Sequence, residues 1–207
     1  MKLKHLYLML FLSFTFAACN KNDKNRQDFD YGTIEEGIYH NSYFNFSVAV
    51  PSGWATLSQK QNQNLMNKNS SNISDASKIT TVILLTASQF ELGATDSVFN
   101  SNMLLLAENV TGNTRIRSGA DYLKLTRQAL EKEPVKREYP DKLMSAKLIN
   151  GTEFTTMRVI TTDDNRTYSQ EYYTMLVDDF ALTAILTYAT ENERTILENA
   201  LSTIKFI

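Results

Sequence analysis

The chain has 207 residues, 43% of them hydrophobic, with 21 basic against 23 acidic side chains and a formal net charge of −2. That is enough for one hydrophobic core, and the charge balance lacks the clustered basic surface that nucleic acid requires. A single cysteine excludes a disulfide framework, and seven isolated glycines exclude a glycine-rich phosphate loop.

The first elements lie before the globular part. Lys2 and Lys4 precede an apolar run, Leu6 to Leu12, that continues through Phe14 to Ala18. Charged, then apolar, then small is the layout of an exported precursor, and the run falls short of the roughly 20 residues needed to span a bilayer. Ala17-Ala18-Cys19 resembles the lipobox of bacterial lipoproteins, although Phe16 stands where leucine is usual. The resemblance implies a signal peptide over 1–18 and acylation (palmitate) at Cys19, which becomes the mature N-terminus. Two or three acyl chains, each worth about 0.8 kcal/mol per buried CH₂, hold a protein at a membrane surface. Asn20 is not the aspartate that retains some lipoproteins in the inner membrane, which favours the outer membrane of a bacterial envelope; the periplasmic or surface side stays open.

Residues 19–42 are polar and charged with little to bury, so a flexible tether is expected there. The domain is expected over 43–207. Phe44, Phe46, Val48 and Val50 alternate with smaller or polar residues, the period of a half-buried strand, and Pro51-Ser52-Gly53 ends it ahead of Trp54, the only tryptophan and a candidate core plug. Residues 57–72, with Leu65 and Met66 as the apolar pair, predict a short surface helix. Val82-Ile83-Leu84-Leu85 and Leu104-Leu105-Leu106 predict strands covered on both faces. Ser118 and Asp121 cap a predicted helix that Pro134 stops by Glu133.

The C-terminal half predicts an antiparallel meander. A strand over 143–149 meets Asn150-Gly151, a dipeptide suited to a two-residue hairpin turn. Strands over 154–162, 167–177 and 180–189 follow, punctuated by Asp163-Asp164-Asn165 and Asp178-Asp179. Thr190 and Glu193 have the spacing of a capping box for a final helix burying Ile196, Leu197, Ala200, Leu201 and Ile204, with Phe206 and Ile207 packing behind it.

The stretch Asn45 to Trp54, a strand and then Pro-x-Gly-Trp, resembles the opening of PsbP-like domains. Tyr188 through the capped helix to Phe206 resembles their close. The resemblance covers about 43–207 and implies an α+β fold, an antiparallel β-sheet flanked by helices in an α-β-α sandwich. Members include photosystem accessory subunits, a small-GTPase-binding nuclear import factor and bacterial lipoproteins of unknown role. The shared motifs are structural and carry over no active-site residue.

Catalytic chemistry finds little support. Once 1–18 is removed, His40 is the remaining histidine, so a Ser-His-Asp or Cys-His arrangement lacks its base and a histidine zinc site its ligands. Asp163-Asp164 and Asp178-Asp179 read as turn residues before they read as calcium ligands, and Glu35-Glu36 as a solvated pair. No metal, cofactor or catalytic group is assigned. Tyr168, Tyr172, Tyr173 and Tyr188, with Arg158 and Arg166 nearby, form the one aromatic-polar concentration. The expected function is a membrane-anchored, non-enzymatic binding or assembly module with a protein partner. The alternative is a small-ligand-binding lipoprotein using a tyrosine-lined pocket.

Overall fold

The computed structural model describes residues 29–69, 81–93, 98–141, 143–163 and 166–207; the expected signal peptide, Cys19 and residues 20–28 lie outside them. Among the described residues no helix is long and apolar enough to cross a membrane.

Fifteen elements follow in order: β1 (Thr33–Glu35), β2 (Ile38–Asn41), β3 (Phe46–Ala49), β4 (Ala55–Thr56), α1 (Gln59–Asn69), β5 (Thr81–Ser88), β6 (Asn102–Asn109), α2 (Gly119–Leu130), β7 (Lys136–Glu138), β8 (Ser145–Ile149), β9 (Thr152–Asp163), β10 (Arg166–Val177), β11 (Phe180–Tyr188), α3 (Glu191–Leu201) and β12 (Lys205–Phe206). They form two antiparallel sheets. The larger runs β4-β5-β6-β11-β10-β9-β7, with β8 also on β9; the smaller runs β1-β2-β3-β12. The fold of the described residues is therefore mixed α and β with large antiparallel sheets and three helices, as expected.

The expected meander is present. Asn150 (φ 47°) and Gly151 (φ 82°) both turn through the left-handed region between Ile149 and its partner Thr152, as a type I′ hairpin demands. Asn150 also donates from Nδ2 to the carbonyls of Ser202 and Ile204 (2.7 and 2.9 Å), tying this hairpin to the end of α3. Asp178 (φ 50°) turns β10 into β11.

Alternation along the long strands divides the core. Met103, Leu105, Tyr173, Leu182, Ala184, Leu186 and Tyr188 face Leu197 and Leu201 of α3 and the small sheet. Leu104, Leu106, Met157, Val159, Tyr172 and Ile185 face Leu65 of α1 and Tyr122, Leu123 and Leu130 of α2. In β5 the register against β6 shifts between Ile83 and Leu85, so Leu84 and Leu85 both join the α3-side core. The helix caps match the sequence: Ser118 Oγ accepts from Asp121 N, and the Thr190–Glu193 box is complete. α2 opens on Gly119 because a Cβ there would stand 2.7 Å from the Thr174 carbonyl oxygen.

Four expectations need correction. The tether does not extend to residue 42: residues 33–41 form the β1–β2 hairpin, closed by Glu36 and Gly37 with φ of 50° and 78°. The segment gains enough burial to order because Tyr39 and Asn41 are each 2% exposed and Phe29 packs among Tyr31, Tyr43, Phe44 and Phe180. Asp30 secures it by accepting from Gly32 N and from Ser42 N and Oγ. His40 consequently sits on β2, exposed, rather than in a tether. α2 ends at Leu130, capped by Glu131, before Pro134 is reached. At the C-terminus, Ile196 is 37% and Ile207 90% exposed; Ile196 lies off the α3 stripe of Leu197, Ala200 and Leu201, and Ile207 follows β12, held by its backbone bond to Asn45. Trp54 is a half-buried packing residue at the edge of the α3-side core.

Candidate functional site

β10 carries Tyr-Ser-Gln-Glu-Tyr-Tyr over 168–173, and strand alternation sends Glu171 and Tyr173 to the face beneath α3 and Gln170 and Tyr172 to the other. Glu171 is thus a carboxylate on a core-facing position, 7% exposed. It persists because three donors meet it. Tyr173 donates to Oε2 and Tyr188 to Oε1, each at 2.7 Å, and Arg194 Nη2 reaches Oε1 at 3.0 Å. Such charge-assisted contacts are each worth about 1.5–3 kcal/mol, and a buried carboxylate without them would be strongly destabilising.

Arg194 arrives from the first turn of α3, where the Thr190–Glu193 box fixes the helix start. Its guanidinium also approaches Glu191 at 3.4 Å and Glu198 at 3.7 Å and lies over the Tyr188 ring. Lys147 on β8 completes the ring of charges: its ammonium bonds Glu198 Oε1 at 3.1 Å and sits 5.2 Å from the Tyr173 ring centroid. Two ion pairs therefore stitch α3 to the sheet. Loss of solvation above all, reinforced by the Glu171 charge, holds the Tyr173 and Tyr188 hydroxyls well above the ordinary phenol range, so both stay protonated donors.

Beside this network the sheet is incomplete. β7 pairs with β9 at 160–162 and β8 at 152–156, leaving residues 157–159 of β9 without a strand partner on that side. A cavity of about 210 Å³ occupies this gap, lined by Asp141, Lys147, Thr156, Arg158, Glu171 and Arg194 among others. Arg158 stands directly across from Glu171 in the β9–β10 register. Among the described residues its one hydrogen bond is a long one, 3.5 Å from Nη2 to Ser169 Oγ, and its buried Nε has no partner. A second cavity of about 380 Å³, between the small sheet, β4 and α1, has no charged side chain among the described residues of its lining.

The structure brings only part of the tyrosine concentration together. Tyr173 lines the cleft, and Tyr188 is committed to Glu171 from below. Tyr172 lies on the opposite face among α2 side chains, and Tyr168 is buried against Phe99, ring centroids 5.3 Å apart. Arg166 sits at the far end of the hairpin, across from Asp163. The expected tyrosine-lined pocket is therefore a charged cleft with one tyrosine wall. Sequence reasoning missed Glu171, Arg194 and Lys147. The available signal was a charge on a core-facing position: Glu171 shares its face with Tyr173, and Arg194 lies three residues before Leu197 on the buried stripe of α3.

Asp178 serves the β10–β11 turn and the Asp179 carbonyl accepts from Val110 N, while Asp164 lies outside the described residues. Among the described residues no three His, Cys, Asp or Glu side chains converge as metal ligands.

No family model matches the chain, and no curated protein matches it. Solved structures do. The solution structure of cyanobacterial PsbP (CyanoP) from Synechocystis sp. PCC 6803 superposes with a TM-score of 0.51 at 9% identity, over 82% of this chain and 91% of that one. A protein of unknown function from Pseudomonas aeruginosa, PA94, described as a putative regulator, gives a TM-score of 0.45 at 16% identity over 63% and 86% of the two chains. The fold is PsbP-like.

Proposed function

We propose that this chain is a lipid-anchored, non-enzymatic binding or assembly module of a bacterial cell envelope. Its PsbP-like domain is an α-β-α sandwich, with α1 and α2 over one sheet face and α3 over the other. Cys19, at the end of the apolar run, carries palmitate and acyl partners after removal of 1–18. The polar residues 20–28 link it to the folded part, and the outer membrane is its address.

The observation that carries the binding reading is the state of Glu171. The most buried carboxylate on the sheet has both oxygens occupied by Tyr173, Tyr188 and Arg194. General acid–base work needs a carboxylate within reach of a substrate proton; this one braces α3 against the sheet and leaves an open, charged cleft at its side. Affinity capture from detergent-solubilised membranes, with the full chain as bait, tests the reading. A protein partner recovered reproducibly supports it, and repeated recovery of bait alone counts against it.

The cleft of about 210 Å³ favours a second reading, a small-ligand-binding lipoprotein. That ligand would meet charged walls and Tyr173 rather than a tyrosine cage.

A further inference from the structure

We propose that the cleft over residues 157–159 is an oxyanion site, which seats a carboxylate or phosphate group of a small molecule on the guanidinium of Arg158. The proposal deepens the binding reading by naming the chemistry of the ligand, and it stands whether or not the domain also has a protein partner.

Charge around the cleft is unevenly compensated. Three cations line the cleft, and two are matched: Arg194 by Glu171, with Glu191 and Glu198 behind it, and Lys147 by Glu198. Arg158 is different. It is half-buried and, among the described residues, has no carboxylate within ion-pair distance and makes only the 3.5 Å contact to Ser169. Its Nε, like that of Arg194, is shut away from solvent without an acceptor among the described residues; what sets Arg158 apart is that no carboxylate pairs its guanidinium. Glu171 is its cross-strand neighbour, yet both Glu171 oxygens are taken by other donors. A shielded guanidinium with unmet donors is costly unless an acceptor arrives, and its planar fork matches two oxygens of one carboxylate or phosphate. Asp141, the acid left in the lining, is on the exposed rim and makes no ion pair to Arg158.

Position and size agree with this. The gap between β7 and β8 gives access to the Arg158 head from the sheet edge, and Lys147 and Arg194, each paired with glutamate, flank the opening with further N–H donors. A volume of about 210 Å³ is below the roughly 300–1,000 Å³ of drug-sized ligand pockets. It suits a small molecule with one anionic group, entering head first.

The test uses the full chain in detergent, labelled with ¹⁵N so that the Arg158 Nε–Hε resonance can be followed; Arg158→Lys identifies it by its disappearance. Sodium phosphate and sodium acetate are titrated separately, with sodium chloride at matched ionic strength as reference. The expected result is a saturating shift of the Arg158 signal with phosphate or acetate and none that saturates with chloride. Saturation by phosphate alone assigns a phosphate ligand; saturation by acetate, a carboxylate. Backbone amide shifts of 157–159 give the affinity of the variants. Arg158→Gln should weaken binding at least tenfold, Lys147→Met about threefold, and Arg166→Gln not at all. If Arg158→Gln unfolds, as judged by circular dichroism, Arg158→Lys replaces it, keeping the charge but not the fork, with an expected weakening of at least threefold. Linear shifts with both anions, shifts equal to those in chloride, or full affinity in the Arg158 variants would overturn the proposal.

Discussion

Raising the pH should unfold this domain through its buried phenols. Tyr39, Tyr122, Tyr172, Tyr173 and Tyr188 are each at most 4% exposed. In all five, loss of solvation is the leading cause that lifts the hydroxyl above its ordinary value near 10, and nearby carboxylates add to it: Glu108 for Tyr122, Glu171 for Tyr173 and Tyr188. The sign follows from linkage. A group whose pKa is higher folded than unfolded contributes stability that is fully present below the unfolded value and drains away as pH rises toward the folded one. One pH unit above the unfolded value, ionisation of each released tyrosine favours the unfolded chain by a little over 1 kcal/mol. Five groups give roughly 5–7 kcal/mol near pH 11, on the scale of the whole stability of an ordinary domain, about 5–15 kcal/mol. Urea midpoints followed by Trp54 fluorescence should therefore hold level up to about pH 9 and fall steeply by about pH 11. Tyrosinate absorbance should show the phenols ionising together with unfolding. Ionisation of all the tyrosines near pH 10 with the fold intact, or a urea midpoint unchanged through pH 11, would refute the reasoning.

Four substitutions probe the remaining claims. Tyr188→Phe keeps the ring and removes one of the donors to Glu171, so thermal denaturation should report a loss of about 2 kcal/mol; under about 0.5 kcal/mol would mean that the hydroxyl contributes little to holding the carboxylate. Gly32→Ala combines a φ of 81° with a Cβ that would overlap the Tyr39 ring, and should destabilise by about 2–3 kcal/mol if β1 and β2 belong to the domain; Gly37→Ala, with φ 78° but open space around it, should cost only about 1–2 kcal/mol. Equal, negligible losses at both would detach the hairpin from the cooperative unit. Cys19→Ser should abolish labelling by a palmitate probe and block maturation by the lipoprotein peptidase, while normal processing and unchanged membrane partition would remove the anchor.

Local rules made much of the domain readable, and the unreadable parts share one cause. Asn150-Gly151, the Thr190–Glu193 box and the alternation of 180–188 act over a few residues, so their geometry follows from residue type alone. The β1–β2 hairpin escaped because its burial comes from Phe44 and Phe46, and from Phe180 on a strand that begins well over a hundred residues later. Read in isolation, residues 29–41 are too polar to order; read beside those rings they are an outer layer of the core. The site is harder again. Glu171 becomes a buried carboxylate only when β10 is fixed in register between β9 and β11, with Tyr188 brought within reach and α3 laid across them. Shift β10 by one residue and Glu171 would face α2 while Gln170 or Tyr172 took its place beneath Arg194. The register itself is set at both ends by turns, Asp163 paired with Arg166 and Val177 with Phe180. Short-range turn chemistry thus decides whether this carboxylate is neutralised from above by α3, and with it whether Arg158, across the same rung, is left without a carboxylate partner among the described residues.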